Sequence, residues 1–229
     1  MIIFHIVTLF PETLEVYADS SMLWKAKKDK KIKIIFYNPR DFSKKKHKKV
    51  DDKPYGGGPG MVMSVDPILR AVMKIKKGIE RKESRRVVTT KQKTKIKTII
   101  LSPQGSEFTN TYAQTLAKRY EHIILIAGHY EGIDARVKKI LKAEEVSIGN
   151  YTLTGGELPS MVIVDAVSRQ IKGVLGNDFS LEEKRVNGRE VYTRPDVYEH
   201  EGKKYRVPKV LLSGNHKDIE EWKSNGGNN

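Results

Sequence analysis

Residues 146–169, VSIGNYTLTGGELPSMVIVDAVSR, decide the fold. The stretch leaves an apolar strand pattern, passes two turns, Ile148-Gly149-Asn150 and Thr154-Gly155-Gly156, and enters an apolar helix carrying Asp165 and Arg169. Glycine has no Cβ, so backbone N–H and C=O groups there come within hydrogen-bonding reach of a ligand. A strand that hands over to a helix through such turns predicts a βα unit. It also predicts a site that reads a small, planar, polar molecule through its main chain.

Outward from this stretch, strand and helix patterns alternate. Strands are expected at 2–7, 31–37, 98–101, 122–127 and 144–148, the third and fourth apolar enough for a buried parallel sheet. Helices are expected over 12–28 behind Pro11, 66–77 with Pro67 in the first turn, 109–120, 133–141 and 159–174. Between them, 38–63 reads as a long loop rich in lysine and glycine, and 78–96 as an aperiodic, mobile basic insertion. The alternation predicts an α/β fold, a parallel sheet covered by helices on both faces. Residues 1–175 form the main domain in this reading, 176–195 a polar linker and 196–229 a small C-terminal domain.

Composition narrows the function classes. With 38% hydrophobic and 31% charged residues in 229, the chain reads as globular and able to bury a sizeable core. No apolar run approaches the roughly 20 residues that span a bilayer, and MIIFHIVTLFPE at the N-terminus lacks a basic leader and a cleavage site. No membrane association is expected. Cysteine is absent, which excludes disulfides and thiolate chemistry and fits a cytoplasmic location. The six histidines are scattered, so no metal site is expected.

The net charge of +15 is concentrated. Residues 25–53 hold 13 lysines and arginines against 4 acids, and residues 74–98 hold 11 against 2. Clustered cations suit a polyanion such as RNA, because each neutralised phosphate releases counterions. The glycine segment Tyr55-Gly56-Gly57-Gly58-Pro59-Gly60 lacks the Lys-Ser/Thr ending of a phosphate-cradling loop, and no G-x-G-x-x-G follows a strand. Nucleoside triphosphate hydrolysis and dinucleotide binding are therefore disfavoured. The prolines bracketing that segment point to a shaped loop approaching a flat ligand or base. Two further glycine loops, Pro103-Gln104-Gly105 and Gly128-His129-Tyr130-Glu131-Gly132, follow buried strands, the position where open α/β sheets bind ligands.

In order along the chain, VDDKPYGGGPGM (50–61), LSPQG (101–105), GHYEGID (128–134), SIGNYTLTGGELP (147–159), YTRP (192–195) and LSGNH (212–216) resemble the TrmD-type bacterial tRNA (guanine-N1)-methyltransferases. The resemblance runs from Phe10-Pro11 to Trp222. It implies a SPOUT-type parallel sheet tied in a trefoil knot, with a small, mostly helical C-terminal domain that grips tRNA. It further implies a homodimer and transfer of a methyl group from S-adenosylmethionine to N1 of guanosine 37.

Carried over motif by motif, the cofactor would be held by Pro103, Gln104 and Gly105, by Gly128, Tyr130 and Glu131, and by Ile148, Gly149, Asn150, Tyr151, Thr152, Leu153, Gly155 and Gly156. Main-chain groups of Ile148, Tyr151 and Leu153 would recognise adenine. A magnesium requirement is also implied, with Glu131 as a contributor.

Guanine N1 carries a proton, so transfer calls for a base and for a cation near O6, where negative charge develops. Spacing alone reads Asp165 and Arg169 equally as an i,i+4 ion pair or as functional groups; the resemblance assigns the cation to Arg169. For the base, the family pattern Ser-x-Glu-Glu-Asp-Ser meets Ser180-Leu181-Glu182-Glu183-Lys184-Arg185 here. A cationic lysine at the aspartate position cannot accept the proton, so Glu183 is the first candidate and Glu182 the second. The alternative is a non-catalytic or retargeted RNA-binding protein that keeps the scaffold. His129 is a second departure, standing where the family usually has arginine.

Overall fold

The computed structural model describes residues 1–84, 94–175 and 190–224. The chain divides into two compact units, Met1–Val174 and Leu175–Asn229.

The first unit is built on five parallel strands: β1 Ile2–Val7, β2 Ile32–Tyr37, β5 Ile96–Glu107, β6 His122–Ala127 and β7 Glu144–Ser147, in the order β2-β1-β6-β5-β7. A two-residue ladder joins β3 Asp51–Asp52 to β4 Val62–Met63. Successive side chains of a strand point to opposite faces, and the apolar strands of this chain fill two cores that way. Phe4, Ile6, Ile99, Leu101, Ile123 and Leu125 face one core, whereas Val7, Ile100, Ile124 and Ile126 face the other. The first core is closed by α1 Pro11–Ala18, α2 Ser21–Lys28, α4 Asn110–Arg119 and α6 Glu157–Arg169; the second by α3 Val65–Glu83 and α5 Arg136–Leu141. This is the expected mixed α/β architecture with a central parallel sheet.

Several boundaries differ from expectation. The helix expected over 12–28 is two helices, because Asp19 and Ser20 close the first and Ser21 adopts φ 46°; Asp and Ser favour caps over helix interiors. Helix α3 continues six residues past Lys77 into the segment read as an aperiodic insertion. Ile79 extends the buried stripe Ile68, Val72, Ile75 by one more turn and is itself buried, and this i+4 spacing was the available signal. Residues 85–93 of that segment lie outside the described residues. Strand β5 runs to Glu107 through a register shift between Leu101 and Ser106. Helix α6 starts at Glu157 and stops at Arg169, inside the expected 159–174 at its end and before it at its start.

His5 on β1 is buried at 4% exposure among these apolar residues. It lies within hydrogen-bonding distance of the Tyr37 hydroxyl (3.1 Å) and of His122 (2.9 Å). Burial and the neighbouring His122, Lys82 and Lys33 push its pKa down to about 3, so the imidazole is neutral.

The second unit contains an antiparallel hairpin, β8 Val197–His200 and β9 Lys203–Arg206, followed by α7 Lys209–Leu212 and α8 His216–Ser224. The mostly helical expectation for this region omitted the hairpin. Its turn is Glu201-Gly202, both with positive φ, the geometry that matches strand twist in a two-residue loop. Trp222 is buried, with the Tyr192 ring 6.3 Å away.

Candidate active site

The stretch of β5 at its register shift, around Ser102–Gln104, and the segments that follow β6 and β7 surround a cavity of about 440 Å³ at the carboxyl edge of the sheet. That volume lies in the range of pockets for small organic ligands. Of the residues expected to bind a cofactor, Pro103, Gln104, Gly128, Tyr130, Glu131, Ile148, Tyr151, Thr152, Leu153, Gly155 and Gly156 line it. Ser102, His129, Lys138, Ser147 and Pro159 also line it; Ser102 and Ser147 lie in the quoted segments without having been named as site residues, and Lys138 lies in none of them.

The three loops are held together by main chain. Gly156 donates its N–H to the Gly128 carbonyl at 2.7 Å, and a Cβ on Gly156 would sit 2.7 Å from the Ala127 Cα. Only glycine lets the N-terminus of α6 approach β6 so closely. Gly105 acts similarly on the other side: a Cβ there would lie 2.5 Å from the Glu145 carbonyl carbon. Gly105, Gly149 and Asn150 are not among the cavity-lining residues; Gly105 is turned onto β7, and Gly149 accepts from the Tyr151 N–H (2.9 Å) and the Ser147 hydroxyl (2.8 Å). That bond commits the Tyr151 N–H, while the Leu153 N–H has no partner among the described residues.

The glycine segment at 56–60 reaches the same place through its last residues. Glu131 and Asp134 donate their N–H groups to the carbonyls of Met61 and Met63 (3.0 and 3.1 Å), and Met63 donates to the Gly132 carbonyl (2.9 Å). Tyr55 at its tip is 98% exposed. Asp134 receives two bonds from the Arg136 guanidinium, at 2.9 and 2.7 Å, which hold its carboxyl below the usual range.

Beneath the second loop, Glu157 accepts from the Thr8 hydroxyl at 2.8 Å, and His129 Nδ1 stands 3.6 Å from the other Glu157 oxygen. The His129 ring packs on Phe10, centroids 5.0 Å apart. Thr8, at the end of β1, and Glu157 were not singled out by sequence reasoning. Among the described residues no group of three or more His, Asp or Glu is placed to hold a metal ion, and no helix is long and apolar enough to cross a membrane.

Arg169 lies elsewhere. It ends α6, ten residues beyond Pro159, so about 15 Å along the axis separate it from the cavity of its own chain. The i,i+4 ion pair with Asp165 is not formed: Asp165 accepts from the Tyr17 hydroxyl at 2.8 Å, and no carboxylate among the described residues pairs with Arg169. Glu182, Glu183 and Lys184 fall outside the described residues.

An open parallel sheet whose carboxyl edge carries a cavity walled by three interlocked glycine loops defines an α/β ligand-binding protein. Known proteins narrow that class. A family profile described as tRNA (Guanine-1)-methyltransferase TrmD matches residues 2–228. A tRNA (guanine-N(1)-)-methyltransferase of Ruminiclostridium cellulolyticum is 46% identical over 224 residues, 96% of this chain and 88% of that protein. One from Clostridioides difficile is 43% identical over 96% of this chain and 90% of its own length, and one from Buchnera aphidicola 43% over 97% and 88%. The chain belongs to the TrmD family of tRNA (guanine-1)-methyltransferases.

Proposed function

We propose that this protein transfers a methyl group from S-adenosylmethionine to N1 of guanosine 37 in tRNA, as a cytoplasmic homodimer. The observation that supports the reading is the main-chain-walled cavity at the carboxyl edge, formed by three segments that lie within the span 2–228 matched by the family profile. Its size and its wall of backbone and aromatic surface suit an adenosine-bearing ligand. Ile148, Tyr151 and Leu153 would hold the adenine, with the 103–105 and 128–131 segments around the remainder. When bound, S-adenosylmethionine supplies an activated methyl group on a sulfonium, so the protein's task is alignment of the acceptor and removal of the N1 proton. Glu131, half of whose loop is pinned to 61–63, is the residue in this chain nearest to a magnesium role.

A second copy of the chain resolves the position of Arg169. Helix α6 exposes Leu158 (66%) and Val162 (44%) in line with Asp165 and Arg169, and neighbouring α1 exposes Val16 (78%) and Tyr17. Such an apolar patch supports a self-complementary contact between two copies, and an antiparallel pairing of α6 helices carries each Arg169 toward the partner's cavity. There it would stabilise charge developing on guanine O6, with Glu183, or second Glu182, as base. In this reading residues 1–175 form a trefoil-knotted catalytic domain, 176–195 the linker bearing the base, and 196–229 a tRNA-binding domain.

The test is transfer of tritium from labelled S-adenosylmethionine to an unmodified tRNA transcript carrying G36–G37. Incorporation that disappears in the G37→A transcript is expected; equal incorporation into both, or none into either, overturns the reading.

A further inference from the structure

Helix α3 turns one face into the second core through Ile68, Val72, Ile75 and Ile79. Arg70, Lys74, Lys77 and Arg81 follow the spacing i, i+4, i+7, i+11, which places them in one stripe on the opposite face. The stripe spans about 16 Å at 1.5 Å per residue. Lys74, Lys77 and Arg81 are exposed, and no ion pair among the described residues neutralises them. Of the three acids of this helix, Asp66 is bonded by Arg70 at 2.7 Å, Glu83 accepts from the Thr94 hydroxyl at 2.9 Å, and Glu80 is exposed without an ion pair among the described residues, one negative charge against the three cations. Alongside, the turn Pro39–Phe42 packs against α3 and leads into exposed lysines 44–49. Lys45 and Lys49 there are tied to Asp52, leaving Lys44 and Lys46 without an ion pair among the described residues.

The uncompensated part of the row, Lys74 to Arg81, spans about 10 Å, and like charges so placed repel one another and suit a polyanion. A lipid surface fits poorly, because a membrane-binding helix needs a free apolar face and that of α3 is already buried in the core. The helix that carries the row starts beside the cavity, and Lys74 stands nine residues, about 14 Å, along it. Helix α3 begins two residues after Met63, whose main chain is bonded to Gly132 and Asp134 at the cavity rim. From these observations we infer that the Lys74–Lys77–Arg81 stripe is a docking track for the phosphate backbone of the substrate tRNA, on the face of the helix that leads away from the rim of the cavity. The inference rests on the tRNA-methyltransferase reading and adds to it a surface on the catalytic unit itself. Backbone contacts of this kind position a nucleic acid without reading its sequence.

The experiment compares the wild-type protein with the triple variant K74Q/K77Q/R81Q and with K118Q/R119Q, a control at the exposed end of α4 on the other face of the sheet. Binding of full-length unmodified tRNA is measured by filter retention from 50 to 300 mM salt, beside thermal melting and S-adenosylmethionine affinity. Loss of three phosphate contacts lowers the slope of log K against log salt by about 2 to 3. The triple variant is expected to show that drop and a Kd raised at least tenfold at 150 mM salt. The control is expected to keep the wild-type slope, and all three proteins the same melting temperature and donor affinity. A triple variant that matches the wild type in slope and Kd overturns the inference while tRNA methylation by the wild type stands. An equal drop in both variants overturns it as well, by reducing the effect to net charge. Wild-type protein that fails to bind tRNA at 50 mM salt sinks the inference and the proposed function together.

Discussion

Replacing Gly156 by alanine perturbs one point where three parts of the site meet. The backbone at Gly156, φ −84° and ψ 4°, is open to any residue, so conformational strain contributes little and the effect is steric. The added Cβ would lie 2.7 Å from Ala127 Cα, 2.9 Å from Gly128 N and 3.1 Å from Ala127 C. All three are backbone atoms of a central buried strand and its exit, and none can swing aside as a side-chain tip would. Relief requires α6 to move off β6, which stretches the 2.7 Å bond from Gly156 N–H to the Gly128 carbonyl. Overpacking of this kind costs about 1–3 kcal/mol and the weakened hydrogen bond about 1 kcal/mol. Together these lower the melting temperature by roughly 5–12 °C for a chain of this size. The same displacement opens the cavity between Gly128 and Gly155, so affinity for S-adenosylmethionine should fall at least tenfold by calorimetry. Gly78→Ala is the matched control: nothing lies within 4 Å of its Cβ and it sits in the interior of α3, so that variant should be stabilised by about 1 kcal/mol. If Gly156→Ala melts and binds donor like the wild type, the close-approach argument for the site is wrong.

Three further outcomes are expected. His5 is a base whose folded pKa is depressed to about 3 from 6.5, so the unfolded chain binds more protons between those values; stability is complete above pH 6.5 and falls on acidification toward pH 3, by up to about 1.4 kcal/mol per pH unit. An imidazole NMR signal of His5 that titrates near pH 6.5 in the folded protein would refute this. Arg169→Ala should reduce single-turnover methyl transfer by about 10²- to 10³-fold with donor affinity unchanged, since the role proposed for it is toward guanine O6 and not toward the donor; parallel losses in both would tie it to the cofactor instead. Glu183→Gln should remove the acidic limb of the rate–pH profile and most of the turnover, and Glu182→Gln should do neither; near-wild-type turnover in Glu183→Gln eliminates it as the base.

The parallel sheet was legible because 99–101 and 123–127 are continuous apolar runs, and the cavity because glycines recur near the ends of three strands. What escaped the sequence was three-dimensional. The Thr8–Glu157 bond joins residues 149 positions apart, and no periodicity links them. Gly105 and Gly156 were marked as ligand-facing, yet their lack of a Cβ is used first against neighbouring backbone, a distinction that spacing alone does not carry. The last turns of α3 were hidden by Gly78 and five basic residues from Lys74 to Lys82, whose polarity masked the single apolar anchor at Ile79. The Asp165–Arg169 spacing suited an ion pair, but Tyr17 from another helix competes for the carboxylate. Arg169 was singled out from the helix after the glycine loops, while its separation from the cavity emerges only from the length of α6.

The most direct measurement is mass-spectrometric sequencing of G36–G37 tRNA after incubation with the protein and trideuteromethyl S-adenosylmethionine. One labelled methyl group on N1 of guanosine 37 is the predicted result. A label on any other nucleotide or atom, or an unlabelled tRNA under conditions where both donor and tRNA bind, would contradict the account.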